Sequence, residues 1–67
     1  MKLEIGSKIS WVSAAGNLKG SVDNIVLDLN AANETVPWIM IKQEGAKSNV
    51  RLCGTNSNLK MMKVQVA

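Results

Sequence analysis

The sequence predicts an all-β fold, a single small five-stranded barrel that occupies residues 1–67. Turn-forming residues recur about every ten positions, which indicates a meander of short strands. Between the turns, apolar and polar residues alternate with the period of two that places every second side chain on one face of a sheet. No stretch carries the longer helical spacing of apolar residues together with capping residues, so we expect no helix.

The second predicted strand, Gly20–Leu29, changes its apolar parity along its length. Val22 occupies an even position, whereas Ile25 and the apolar residues after it occupy odd positions. Because a strand repeats every two residues, the change predicts a bulge or sharp bend near Asp23 and Asn24. The inward residues of the strands should share one interior, which we expect to contain Ile9, Trp11, Val22, Leu52 and Val64.

The second half of the chain predicts two further strands and a closing strand. Trp38–Ile41 is an uninterrupted apolar run, typical of a strand covered on both faces, and the preceding Pro37 suits a strand start or an edge. Ser48–Cys53 alternates again. Gly54–Asn58 is rich in turn formers and predicts a short 3₁₀ turn, after which Lys60–Val66 should close the barrel.

Five short strands with a 3₁₀ turn before the last resemble the SH3-like small barrels. Ile5–Val12 and Lys19–Val22 look like the KOW and Tudor-like branch, whose first strand reads apolar-Gly-x-x-apolar and whose second begins Lys-Gly-x-apolar. In this comparison Gly6 and Gly20 allow a tight chain reversal and a close approach of strands. The resemblance implies a non-catalytic binding module and, for a KOW-like member, a nucleic-acid partner.

The aromatic content departs from several members of that group. The chain has no Phe, no Tyr and only two Trp. A polyproline groove, a methyl-lysine cage and a base-stacking sheet each need several aromatic side chains. Binding should therefore use another kind of contact. A chain this short also has little apolar surface left for a deep pocket once its core is filled, which favours an outer face or an oligomer interface.

Residues that commonly carry catalysis are sparse. There is no His, so the lone Cys53 has no base to activate it, and a zinc site of Cys and His is excluded. Asp23 and Asp28 are expected to be solvated, and no glycine-rich phosphate loop is present. We expect no enzyme, no metal and no cofactor; an active site would have to be built between subunits.

The basic residues support one functional interpretation, in which the protein binds nucleic acid. The net charge is +3, from eight basic and five acidic residues. This mild excess permits contact with phosphates, although cations spread along a sequence are more often only a solvated surface. The candidate phosphate contacts are Lys8, Lys19, Lys42, Arg51, Lys60 and Lys63.

The apolar run supports the leading interpretation, a binding or assembly module that self-associates. Trp38 and Met40 lie on one face of the predicted strand, and only one face of that strand can point into the barrel. Met61 is expected on the outward face of the closing strand. We therefore predict a homo-oligomer or protein interface at Trp38, Met40 and Met61.

The single cysteine and the N-terminal sequence predict the compartment. Cys53 cannot form a disulfide within the chain, which favours a reducing location. The first ten residues contain no apolar run of signal-peptide length, and no segment approaches the ~20 apolar residues of a membrane span. We expect a cytoplasmic protein without a membrane partner.

Overall fold

A computed structural model describes residues 3–67, and Met1 and Lys2 lie outside the described residues. These residues form one antiparallel sheet of five strands in the order β4-β3-β2-β1-β5. The predicted all-β class is therefore confirmed. The elements are β1 (Lys8–Ser13), β2 (Gly16–Leu29), β3 (Thr35–Gln43), β4 (Val50–Cys53), helix α1 (Asn56–Met61) and β5 (Gln65–Val66).

The sheet is not closed, so the predicted barrel is not confirmed. β4 and β5 are the two outer strands of the sheet, and no pairing joins them within residues 3–67. The last strand is also shorter than expected, because β5 contains two residues and pairs with β1 only at Ile9 and Ser10.

The predicted bulge is present in β2. The register between β2 and β3 shifts between Val22 and Asn24, which leaves Asp23 as the extra residue. The bulge keeps both halves of the long strand facing the same interior. Val22 points inward before it, and Ile25 points to the same side after it, opposite the buried Ile39.

The core forms on the inner face of the curved sheet, as the alternation predicted. Trp11 is 2% exposed and belongs to this core. Partly buried residues from the N-terminal segment, β2 and the end of α1 pack against it: Leu3, Leu18, Leu59 and Met62. The buried cluster itself consists of Ile9, Trp11, Val22, Ile39, Ile41, Leu52 and Val64.

The helix α1 corrects two predictions, the 3₁₀ turn and the absence of helix. The side chain of Thr55 caps α1 by accepting a hydrogen bond from the Asn58 N–H at 3.3 Å. Leu59 packs against the core, which stabilises a helix too short to stand alone. Because α1 extends to Met61, the closing strand begins at Gln65 rather than Lys60. Within residues 3–67, no helix has the length and apolar character needed to cross a bilayer.

Candidate functional site

The face of the sheet that points away from the core gathers lysines from three strands. Alternation with the buried core residues turns Lys8 outward on β1, Lys19 outward on β2 and Lys42 outward on β3, and all three are exposed. Cross-strand pairing brings them together. Lys8 pairs with Ser21, which pairs in turn with Lys42, and Ser10 pairs with Lys19.

Two shallow depressions mark this surface, and they share Ser10 and Lys19. The first, of about 360 Å³, also has Lys8, Ser21, Glu44 and Ala67 in its lining. The second, of about 320 Å³, adds three polar side chains, Asn17, Lys63 and Gln65. We call the cationic and uncharged polar part of this surface the basic face, with the carboxylate of Glu44 at its border. We define it by Lys8, Ser10, Asn17, Lys19, Ser21, Lys42, Lys63 and Gln65.

Lys63 reaches the basic face from an unusual backbone conformation. Its φ is 52°, in the left-handed region that a residue with a Cβ adopts at a cost. The conformation ends α1: the Lys63 N–H donates to the Lys60 carbonyl at 3.2 Å, and the Val64 N–H donates to the Leu59 carbonyl at 3.0 Å. This pair of bonds is the Schellman motif, and glycine is the residue it most often contains at this position.

Two of the six candidate cations are outside the basic face as defined. Arg51 points to the same outer side of the sheet from β4, beside Met40, and its guanidinium carbon lies 4.6 Å from the centre of the Trp38 ring. Lys60 is exposed in the last turn of α1. Three of the six cations that the sequence singled out line the two depressions, namely Lys8, Lys19 and Lys63. Lys42 joins them through its pairing with Ser21, which lines the first depression.

A second surface lies beyond the bulge, where β2 and β3 extend as a hairpin. We call residues 24–40 the apolar hairpin. Its inner face continues the face of the core and carries three apolar residues of β2: Ile25 is 37% exposed, Leu27 is 71% exposed and Leu29 is 54% exposed. Val26, on the outer face, is 42% exposed. These side chains are only partly covered because β1 pairs with β2 no further than Ser21.

An apolar cleft opens beside the hairpin on its inner face. Its volume is about 210 Å³. Leu27 is adjacent to it, since Leu27 pairs across the strands with Pro37, a residue of the cleft wall. The cleft is lined by Leu3, Ile25, Pro37, Ile39, Gly54, Asn56 and Leu59.

Of the three predicted interface residues, Trp38 and Met40 share the outer face of β3, whereas Met61 is on α1. Trp38 is half-buried on the outer face of β3, and its indole N–H donates to the Leu29 carbonyl at 3.2 Å. Met40 is half-buried beside Arg51. Met61 is 72% exposed but lies on α1, so its predicted place on the closing strand is wrong. The alternation in the sequence grouped Leu27 and Leu29 with the inward-facing residues. Their exposure follows from the strand lengths, because β2 continues to Leu29 whereas its pairing with β1 ends at Ser21.

The remaining reactive groups are dispersed. The Cys53 thiol is half-buried and lies 3.8 Å from the Thr55 hydroxyl oxygen. Asp23 and Asp28 are both exposed. In the part of the chain that the structure describes, no three His, Cys, Asp or Glu residues are grouped so that they could hold a metal ion.

The fold and its surfaces define a small all-β protein with lysines on the outside of the sheet and an apolar hairpin beyond the core. Comparison of the chain with models of known protein families, with curated proteins and with solved structures finds no match.

Proposed function

We propose that this protein is a non-catalytic binding module whose basic face contacts the phosphate backbone of nucleic acid. The observation that carries the proposal is the convergence of Lys8, Lys19, Lys42 and Lys63 from distant parts of the sequence. Neighbouring strands lie about 5 Å apart, so Lys8 and Lys42 have backbones about 10 Å apart with Ser21 between them. Flexible ammonium groups at this density suit phosphate oxygens.

The composition of the basic face favours duplex over single-stranded nucleic acid. Single strands are held largely by stacking of their bases on aromatic side chains. Trp11 borders the basic face, but its side chain is buried in the core. Trp38 is on the outer face of β3, but it is half-buried and the guanidinium of Arg51 covers its ring. The face instead offers hydroxyl and amide groups between the lysines, which contact phosphate and sugar but read no bases. The proposed binding is therefore independent of sequence.

The binding test is a salt titration of a labelled duplex by fluorescence anisotropy. Four phosphate contacts give a slope of log K against log salt near −3.6, so affinity should fall about 150-fold between about 50 and about 200 mM salt. The variant Lys19→Gln should weaken binding and lower the slope by about 0.9. Lys47→Gln is the matched control, because Lys47 is an exposed lysine in the loop after β3, outside the basic face.

Three outcomes would overturn this proposal. One is the absence of duplex binding at low salt, and another is an equal effect of the Lys19 and Lys47 substitutions. The third is binding to vesicles of anionic lipid without binding to duplex. A tighter complex with single strands than with duplex would contradict the argument from the missing aromatic side chains.

The architecture that we propose is an open, SH3-like one. In support, the five strands follow one another as a meander, and α1 precedes a short last strand that returns to β1. Gly6 has a φ of 93° in the turn before β1, which agrees with the resemblance of this segment to the KOW and Tudor-like branch.

Self-association is a second candidate function, favoured by the apolar hairpin. Leu27 and Leu29 are more than half exposed, although both are large apolar residues in a strand. Such neighbouring exposure is typical of a protein interface. Light scattering coupled to size-exclusion chromatography should give a mass that rises with concentration; a constant mass of one chain would remove this candidate.

A further inference from the structure

We propose that two copies of this chain pair through the inner face of the apolar hairpin, each inserting Leu27 into the apolar cleft of the other. The inference rests on the self-association proposed above and names its surface. Leu27 is the most exposed of the large apolar side chains of the hairpin, at 71%. The cleft beside it is walled by Ile25, Pro37 and Leu59, among others.

The cleft has the size and chemistry for a leucine side chain. An apolar cavity of about 150 Å³ accommodates benzene, which has six carbon atoms. The cleft measures about 210 Å³, and a leucine side chain has four carbon atoms. Apolar residues form most of its wall, with Asn56 at one side. The occupant should accordingly be aliphatic rather than charged.

The position of Leu27 beside the cleft determines the symmetry of the pair. Leu27 lies two residues from Ile25, which lines the cleft, and two residues of a strand span about 7 Å. Because the protruding residue and the cleft are so close on one face, two copies related by a two-fold axis near them can each place Leu27 in the cleft of the other. Such an arrangement closes as a dimer and does not continue into a filament.

The β3 edge of the hairpin is unsuited to an added strand, and on the β2 edge, which β1 leaves free, the N–H groups of Ile25 and Leu29 already donate to neighbouring side chains, which favours the face of the hairpin. β4 covers β3 from Trp38 to Ile41. Beyond it, Pro37 has no N–H to donate, and its carbonyl already accepts a hydrogen bond from the Gly54 N–H at 2.7 Å. An added strand would therefore find neither group of Pro37 free, and proline is a common means of blocking such an edge.

The total surface of the chain is in keeping with a partner of this kind. A compact monomer of 7.2 kDa exposes about 4100 Å². This chain exposes 4817 Å², about 700 Å² more. A standard interface covers about 800 Å² on each partner. The excess is of the same order as that area, and the exposed Leu27 and Leu29 contribute to it.

Pairing through the inner face of the hairpin leaves the basic face free. The lysines point outward from the opposite side of the sheet, so a dimer carries two accessible basic faces. Loss of pairing and loss of phosphate binding can consequently be measured independently with different substitutions.

Sedimentation equilibrium of the whole chain tests the inference. We expect wild-type protein to move from one to two chain masses with concentration, and Leu27→Asp to raise the dimer dissociation constant at least about tenfold by placing a charge in the cleft. Ile5→Asp is the matched control, because Ile5 is 68% exposed outside the hairpin and cleft. Circular dichroism should show that both variants remain folded.

A disulfide experiment provides the second measurement. In a Cys53→Ser background, protein carrying Leu27→Cys is mixed with protein carrying Leu59→Cys and oxidised. Leu27 of one copy should lie against Leu59 of the other, so the mixture should give a covalent dimer that links one chain of each variant, in greater yield than the dimer formed by the Leu59→Cys protein alone. Absence of that mixed dimer would contradict the proposed contact.

The outcomes separate this inference from the proposals on which it depends. A wild-type monomer at every concentration overturns self-association and the named surface, and leaves phosphate binding untouched. A dimer that Leu27→Asp does not weaken overturns the named surface alone. Growth of wild-type protein beyond two copies overturns the two-fold arrangement.

Discussion

Gly20 and Ile41 approach each other so closely in the sheet that a side chain at residue 20 has no room. A Cβ atom built on Gly20 would lie 2.6 Å from Cγ2 of Ile41 and 2.6 Å from the carbonyl oxygen of Lys42. Carbon atoms pack at about 3.5 to 4.0 Å. The close approach of strands predicted at Gly20 is therefore present, and it brings β3 close to β2 over the core.

We predict that Gly20→Ala destabilises the protein by about 1–3 kcal/mol, because the added methyl group forces β2 and β3 apart. Urea unfolding followed by circular dichroism would measure this loss. The adjacent residue supplies the control: Lys19 is exposed, so Lys19→Ala should change stability by no more than about 0.5 kcal/mol. Equal stability of the Gly20→Ala variant and wild type would show that the strands are not packed as described.

The cap of α1 gives a second prediction. Thr55→Ala removes the acceptor of the Asn58 N–H and should cost about 1 kcal/mol of stability. Thr55→Ser keeps a hydroxyl at the same position and should retain most of the stability. Thermal unfolding of the three proteins checks the prediction, and an equal loss in the Ser and Ala variants would contradict a capping role.

The strands and the core could be predicted because burial in a sheet repeats every two residues. That rule alone placed Ile9, Trp11, Val22 and Leu52 in one interior and located the bulge after Val22. Val64 also proved to be buried, although it precedes β5 and does not belong to a strand.

Helix α1 was missed because it is too short for a periodic pattern to emerge. Its six residues include Asn56, Ser57 and Asn58, which favour turns. The available signal was the capping Thr55 followed by Leu59 and Met62, three residues apart and both packed against the core. A search for long amphipathic windows does not detect so local a pattern.

The surfaces could be predicted only in part, because they depend on register and on strand length. Ser13 pairs with Gly16 across a two-residue turn, and counting back from it pairs Ser10 with Lys19. That pair could have been found from the sequence. The positions of Lys42 and Lys63 could not, because they depend on the bulge and on where α1 ends.

The contact between Arg51 and Trp38 gives a third prediction. A guanidinium over an indole ring at this distance contributes about 0.5–1 kcal/mol when exposed. A double-mutant cycle with Arg51→Ala and Trp38→Leu should recover a coupling energy of that size in urea unfolding. The same cycle with Lys47→Ala in place of Arg51→Ala should give no coupling. Two equal coupling energies would refute the contact.

A substitution at Lys63 should change stability and the proposed binding in opposite directions. Glycine would fit the backbone conformation of this position better, whereas lysine supplies the cation. Lys63→Gly should stabilise the protein by about 1 kcal/mol, since it relieves the left-handed conformation at φ 52°. It should also weaken duplex binding, because it removes a cation of the basic face. Strain retained at a position where another residue would be more stable indicates a role for the side chain.

Lys60→Gly is the matched control, three residues earlier in the same sequence. Lys60 lies inside α1, so glycine there should destabilise the protein by about 0.5–1 kcal/mol. It lies outside the basic face, so duplex affinity should change little. We expect the two substitutions to change stability in opposite directions and only Lys63→Gly to weaken duplex binding. That result would support a contact between Lys63 and phosphate. A Lys63→Gly protein that is more stable and binds duplex as tightly as wild type would exclude Lys63 from the binding surface.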